Sequence, residues 1–455
     1  MPIDLLIENG TIVTMNPAGE VLAGGAVAIE GARIQGVYRA GTVPRDLPVA
    51  RRLDARGRVV MPGLINAHTH LFQTLIRGVY ERLGFLEWLR RIYLTGRVLE
   101  PEDCFQGALV GLGEAVQSGV TTVVDHHFLN RTPELAEATI AAFQQVGVRC
   151  VLARCIMDVA GLAPPEVVET PEAGLRACEA LLARHRAAIA QGRVTIWTGP
   201  NTPPLNASEA LIRETHAFAR AHGIGVSAHV AEAASVVEAV RAQHGAEGVV
   251  ALFDRLGALG PRLLAAHSVH LSAREIALLA QAGASVAHNP VSNGFLGDGI
   301  APVVELLAAG VNVALGTDGA ASNNSQDMFE VMKVAALFQR ARTQDPAALP
   351  PETVLRLATI NGARSLGLEH ELGSLEPGKR ADLIIVDLGS ALHNCAVHDV
   401  LSHLVFTARA TDVRTVLVDG RILLEEGVLQ TIDAEAVRAA GQARGESLVR
   451  RLAAT

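Results

Sequence analysis

In PGLINAHTHL, residues 62–71, His68 and His70 stand one residue apart at the end of an apolar run. If that run is a strand, both imidazoles point to the same side. Two rings buried side by side cost free energy unless something satisfies their nitrogens. Two answers are open: ordinary hydrogen bonds, or a shared metal ion. Other apolar runs also end in residues able to do chemistry: Asp125 and His126, Asn201, His229, His267, His288 and Asn289, and Asp318. Loop composition alone would supply Ser, Gly, Asn and Asp, not histidine at five of eight run ends.

His68, His70, His229 and Asp318 together offer three imidazoles and a carboxylate, a ligand set suited to zinc or iron(II). A metal held this way with one open position binds a water and lowers its pKa towards about 7. SAHVAE places Glu232 three residues after His229. At a strand end the chain can turn and bring that carboxylate over the water; the alternative is a glutamate favoured by a helix N-terminus. His267 can hydrogen-bond the attacking water, and His270 in the same HSVH segment competes from beyond the strand.

These residues need elements that converge. Eight β-type runs alternate with helical patterns: RVVMPGLINAHTH, TTVVDHH, VRCVLARC, VTIWTGPN, IGVSAHV, RLLAAHS, ASVAHNP and VNVALGTDG. Near-continuous apolar strands suit a sheet buried on both faces, and alternation with helices suits βα units. The expected fold is α/β: a (β/α)₈ TIM-like barrel whose C-terminal strand ends form one active face. The first 57 residues read as short strands, with a hairpin at the Asn-Gly of DLLIENGTIVTM, and ADLIIVDL and VRTVLVDGRILLEEG repeat that texture near the C-terminus. Both chain ends are therefore expected to build one small β-sandwich. The expected division is 1–57 and 373–430 for the sandwich, 58–372 for the barrel and 431–455 for a C-terminal helix.

The chain has 455 residues, 49% of them hydrophobic and 19% charged, enough to bury a large core. A net charge of −8 with no basic run argues against a nucleic-acid partner. No apolar stretch of about 20 residues suggests a membrane span, and the N-terminus carries no signal-peptide pattern. The five cysteines form no CxxC pair, so a reducing cytoplasm is expected.

PGLINAHTHL, HVAE, AAHSVHL, VAHNPVSN, GTDGAASNN and GSLEPGKRADLIIVD, in this order and nearly end to end, resemble the amidohydrolase superfamily. Within it, HVAE, HNPVSN and GTDGAASN resemble the branch that hydrolyses nitrogen heterocycles. That branch includes methylthioadenosine/S-adenosylhomocysteine deaminases, guanine and 8-oxoguanine deaminases, and s-triazine chlorohydrolases and aminohydrolases. The resemblance implies one divalent transition metal on His68, His70, His229 and Asp318, zinc before iron(II). VTIWTGPN lacks the lysine of the binuclear branch. The implied reaction is metal-assisted attack of hydroxide on a ring carbon, releasing ammonia, with Glu232 shuttling protons, His267 beside the water and Asp318 passing the second proton on. A homo-oligomer acting on a small molecule is also implied. A non-catalytic binding protein would need a broken ligand set, and every expected ligand is present.

The substrate is less legible. His126, His127, Asn201, Arg154 and Asn293 are candidates for ring contacts, and Trp88 and Phe72 for pocket walls. The nucleoside group of this family carries GPH where this chain has GPN, and an acid after the EWL helix where this chain has none before Glu100. Both departures favour a free amino-substituted heterocycle over a methylthioadenosine-type nucleoside, unless Glu87 or Arg154 takes over the ribose contact.

Overall fold

The computed structural model describes residues 3–454. The N-terminal strands β1 (Ile3–Val13), β2 (Val21–Glu30), β3 (Arg33–Tyr38), β4 (Val49–Asp54) and β5 (Arg58–Pro62) lie in one mixed sheet. The barrel strands follow: β6 (Leu64–Thr69), β7 (Val120–His127), β8 (Arg149–Ile156), β9 (Val194–Pro200), β10 (Val226–Val230), β11 (Leu263–His267), β12 (Ser285–His288) and β13 (Asn312–Leu315). The chain then returns to the mixed sheet with β14 (Leu383–Asp387), β15 (Val413–Val418), β16 (Arg421–Glu425) and β17 (Val428–Leu429), and ends in the helix Ala434–Ala453.

The eight barrel strands pair in parallel, in sequence order from β6 to β13. Their sequences explain their position. Every residue of VTTVVDHH in β7 and RCVLARCI in β8 is buried, as a sheet covered on both faces requires. Past the end of β13 the barrel is nearly closed against β6 by two bonds. The Asp318 N–H donates to the His68 carbonyl at 2.9 Å, and the Thr69 hydroxyl donates to the Asp318 carbonyl at 2.8 Å. Local signals set the surrounding helices. Ser272 and Glu275 form a capping box on Ala273–Ala282, and Gly223 and Gly283 end their helices in the left-handed conformation.

Two sequence expectations change here. RVVMPGLINAHTH is two strands: β5 pairs with β1 and β14 in the mixed sheet, and β6 opens the barrel. The change of sheet falls at Gly63, where a Cβ would overlap the Thr121 side chain. Residues 58–62, expected in the barrel, therefore sit in the mixed sheet. Secondly, Asn9-Gly10 is a bulge inside β1 and not a hairpin turn. Asn9 takes φ 65°, a conformation that serves a bulge as well as a turn. Before the bulge β1 runs parallel to β4, and after it parallel to β5. Asp419-Gly420, by contrast, does turn β15 into β16.

The small sandwich expected from both chain ends is built from this mixed sheet, one hydrogen-bonded path with β4 paired to β1 off it. It curls so that the β3 edge meets the chain before β14, where the Ile34 N–H donates to the Lys379 carbonyl at 2.9 Å. Ile7, Ile12 and Val27 from one end of the chain and Leu383, Ile385 and Leu417 from the other share one core. Arg149, at the start of β8, pins this sheet to the barrel through ion pairs with Asp382 at 2.9 Å and Asp419 at 2.8 Å.

Candidate active site

His68, His70, His229, His267 and Asp318 converge at the C-terminal ends of their strands, all buried. The Oδ1 of Asp318 lies 3.5 Å from His68 Nε2 and 3.2 Å from His70 Nε2. The Nε2 atoms of His70 and His229 are 3.3 Å apart. His68, His70 and His229 bring three ligand atoms within 4.8 Å of one another, as do His68, His267 and Asp318, and His229, Glu232 and His267.

Tautomers decide what this cluster can hold. His70 Nδ1 lies 2.7 Å from the His126 carbonyl, and His229 Nδ1 lies 3.0 Å from the Asn201 carbonyl. A carbonyl only accepts, so both Nδ1 atoms carry hydrogen. Both Nε2 atoms then present lone pairs to each other across 3.3 Å, which is no hydrogen bond. His68 is fully buried and neither of its ring nitrogens has a partner. Converging lone pairs beside a carboxylate fit a cation, and imidazole plus carboxylate fits zinc or another first-row dication. Of the two readings left open for His68 and His70, the metal is the one this geometry suits.

Electrostatics point the same way. Burial, and then the neighbouring imidazoles of His126 and His68, hold His229 well below the usual histidine range, so it is neutral and able to ligate. Burial would raise Asp318, but the imidazoles of His68 and His70 set against it outweigh burial and hold the carboxylate well below its ordinary value. Ser292 Oγ donates to Asp318 Oδ2 at 2.6 Å and Ser322 Oγ at 3.0 Å, while the Gly319 N–H holds Oδ1 at 2.8 Å. These bonds orient a residue whose own backbone sits at φ 61°.

Glu232, just past β10, is 4% exposed. Burial, with Asp298 and Asp318 nearby, pushes its carboxyl well above the usual range. Its Oε1 lies 3.6 Å from His267 Nε2, which in turn is 4.0 Å from Asp318 Oδ2. Asn293 Nδ2 donates to His267 Nδ1 at 3.0 Å, so the His267 N–H is on Nε2 and faces the two carboxylates. Burial lowers His267 to about 3. His270 points elsewhere, donating to the Asp298 carbonyl at 2.7 Å.

The cavity over this cluster is lined by His70, Gln73, Trp88, Leu89, Phe128, Asn201, Thr202, His229, Glu232 and Asp318. Trp88 lines the cavity with its indole N–H fixed on the Ala321 carbonyl at 3.2 Å. Four expected substrate contacts are placed differently. His126 has no exposed surface, and its ring nitrogens are engaged by Ser227 Oγ at 2.9 Å and Asn201 Oδ1 at 3.0 Å. His127 and Arg154 are register partners on β7 and β8, one residue after the inward His126, so they face away from the barrel interior. His127 Nδ1 lies 3.4 Å from Asp125 Oδ2, and Arg154 is spent on Glu169 at 2.7 Å. Asn293 holds His267 and does not line the cavity. Asn201 does line it, but its side chain is bonded to His126 and to the Tyr93 hydroxyl at 3.0 Å. Phe72 packs on Phe128 behind the wall, and Glu87 is half-buried and paired with Arg91.

Sequence reasoning passed over Gln73, Leu89, Phe128 and Thr202. Gln73 could have been found, three residues past His70. Its Oε1 accepts from the Ala321 N–H and its Nε2 has no partner, leaving a buried donor beside the cavity. Ser292 and Ser322 lie within the NPVSN and AASNN segments, whose serines were not singled out.

The Amidohydrolase family model matches residues 59–423. The chain is 40% identical over 436 residues to a 5-methylthioadenosine/S-adenosylhomocysteine deaminase of Moorella thermoacetica, covering 96% of this chain and 97% of the relative. It is 38% identical over 451 residues to a 5′-deoxyadenosine deaminase of Methanosarcina mazei, covering 99% of each. Among solved structures, an adenosine deaminase from Xanthomonas campestris with bound zinc superposes with a TM-score of 0.92 at 33% identity, over 99% of each chain. An atrazine chlorohydrolase from Arthrobacter aurescens complexed with zinc gives 0.88 at 27% identity, over 97% of this chain and 100% of that one.

Proposed function

The chain belongs to the amidohydrolase family, and on that premise we propose that it is a metal-dependent hydrolytic deaminase of an amino-substituted purine ring. The observation that carries this is the pair of facing Nε2 lone pairs on His70 and His229, 3.3 Å apart, beside Asp318 in a cavity that Glu232 also lines. His68, His70, His229 and Asp318 would hold one divalent cation. Zinc is the metal we favour, because the Xanthomonas and Arthrobacter structures carry it. A cation there supplies Lewis acidity and makes hydroxide available at neutral pH.

The chain's own residues account for the protons. Replacing a ring amino group by oxygen consumes one water and releases one ammonia. The oxygen bonds to the ring carbon, and the C–N bond to the amino group breaks. Glu232 takes the first proton from the water and gives it to the adjacent ring nitrogen, which lets the ring accept the attacking oxygen's electrons. Its buried setting, which favours the protonated form, suits the donating half of that cycle. Asp318 Oδ2 takes the second proton and passes it to the departing ammonia. His267 Nε2–H has no hydrogen-bond partner and lies 3.6 Å from Glu232 Oε1, so it is placed to donate to the oxygen being added. Trp88, Leu89 and Phe128 bound the ring and exclude bulk water.

The substrate we propose first is a 5′-modified adenosine, because relatives spanning nearly the whole chain carry methylthioadenosine, S-adenosylhomocysteine and 5′-deoxyadenosine deaminase names. This reverses the preference for a free base drawn from GPN and the EWL helix. Asn201 is engaged by His126 and Tyr93, so its identity says little about ribose. One observation favours a free heterocycle as the second reading: Glu232 and Asp318 are the only carboxylates among the lining residues named above. The test is ammonia release, as kcat/KM, for methylthioadenosine, 5′-deoxyadenosine, adenine, guanine and aminotriazines side by side. The adenosyl compounds should exceed the free bases by tenfold or more; the opposite order would select the second reading. A reducing cytoplasm and a homo-oligomeric state complete the proposal.

A further inference from the structure

His126 and Asn201 entered as candidate substrate contacts, and the structure gives both another use. Each lends its backbone carbonyl to one imidazole of the proposed metal site. The His126 carbonyl receives His70 Nδ1–H at 2.7 Å, and the Asn201 carbonyl receives His229 Nδ1–H at 3.0 Å. Their side chains are bonded to each other, His126 Nε2 to Asn201 Oδ1 at 3.0 Å. An amide oxygen only accepts, so His126 carries its hydrogen on Nε2, and Nδ1 accepts the Ser227 hydroxyl at 2.9 Å. Asn201 is braced from behind, where Nδ2 donates to the Tyr93 hydroxyl at 3.0 Å. Asn206 Nδ2 donates to the same hydroxyl at 2.5 Å, and the Thr202 N–H in turn donates to Asn206 Oδ1 at 2.8 Å. His126 and Asn201 have essentially no exposure, and the His126 ring lies 4.4 Å from the His229 ring.

We propose that the His126–Asn201 side-chain bond is a tie between the ends of β7 and β9 that fixes the two carbonyls, and through them the tautomer and aim of His70 and His229. Both are positioning residues and neither touches substrate through its side chain. The inference rests on the metal site proposed above. Outer partners that orient metal-bound histidines typically change metal affinity 10- to 100-fold when removed. Asparagine suits this position because its Oδ1 binds His126 while its Nδ2 reaches Tyr93, so one side chain spans both braces.

The test measures zinc affinity by chelator competition, and the visible spectrum of the cobalt-substituted protein, for wild type, His126→Phe, Asn201→Leu, Asn201→Asp and the double variant H126F/N201L. Each single apolar variant should weaken zinc binding 10- to 100-fold and alter the cobalt spectrum, with thermal unfolding near that of wild type. The double variant should bind zinc no more weakly than the worse single one, because the same tie is cut. Asn201→Asp keeps an acceptor for His126, and the Tyr93 hydroxyl can reverse to donate to the second carboxylate oxygen, so this variant should stay within threefold of wild type, which keeps the question decidable if an apolar variant fails to fold. Wild-type affinity and spectrum in the apolar variants, additive losses in the double, or an Asn201→Asp loss equal to that of Asn201→Leu would each overturn the tie. A wild type that binds no metal would instead overturn the reading of the site.

Discussion

Glu232 stands closest to the boundary between ligand and acid. It shares a 4.8 Å cluster with His229 and His267, and its Oε1 faces the His267 N–H at 3.6 Å. Glu232→Gln should therefore keep its metal and fold while losing about 10³-fold in kcat, since both halves of the proton shuttle pass through it. Metal analysis beside single-turnover kinetics checks this; loss of the metal would make Glu232 a ligand. That His68, His70, His229, His267 and Asp318 come together was readable from the sequence, because few residue types suit the chemistry proposed for them. The substrate contacts were not. His126, His127, Arg154 and Asn293 are versatile residues whose use depends on which way a strand faces and on partners such as Ser227 and Glu169. Spacing alone does not supply those partners.

At the scale of elements, the site depends on how closely neighbouring strands approach. Gly199 sits near the end of β9 with no room for a methyl group, because a Cβ would overlap the Ser227 carbonyl on β10. Ser227 holds His126, and β10 carries His229. Gly199→Ala should push these strands apart, lower the thermal midpoint and weaken metal binding together, by about 1–3 kcal/mol of stability as overpacking does. Calorimetry with and without zinc reads both effects; an unchanged midpoint and affinity would show that the strands have slack. Element type was legible where the period was strong, since buried runs gave all eight barrel strands. Partner choice was not. Asn9-Gly10 announces a positive φ, but only β4 and β5 on the same side of β1 reveal that it serves a bulge. Likewise Pro62-Gly63 marks a break, but nothing in it states that the chain changes sheets there, because apolar residues continue on both sides.

For the whole molecule, stability depends on histidines buried without charge. His216, in the helix Glu209–His222, packs against Phe253 and bonds the Ile212 carbonyl through Nδ1 at 2.9 Å. Burial lowers it to about 4 from 6.5. A depressed histidine pKa means that protonation favours the unfolded chain, so its contribution is fully present above pH 6.5 and is lost as pH falls towards 4. A shift of that size is worth about 3 kcal/mol. Urea unfolding of wild type and His216→Leu from pH 7 to 4 should show a shallower decline in the variant; parallel curves would remove His216 from the account. The barrel and the return of the chain to a second unit were legible at this scale, because β segments at both ends with a βα array between them leave few topologies. How the edges of the small unit meet was not, since its closure runs through backbone bonds such as Ile34 to Lys379. The central claim is that one metal ion per chain enables deamination. It is tested most directly by titrating zinc into chelated protein while measuring ammonia release from 5′-methylthioadenosine. Activity should rise linearly from zero and level off at one equivalent per chain. Full activity without zinc, or a break at two equivalents, would contradict it.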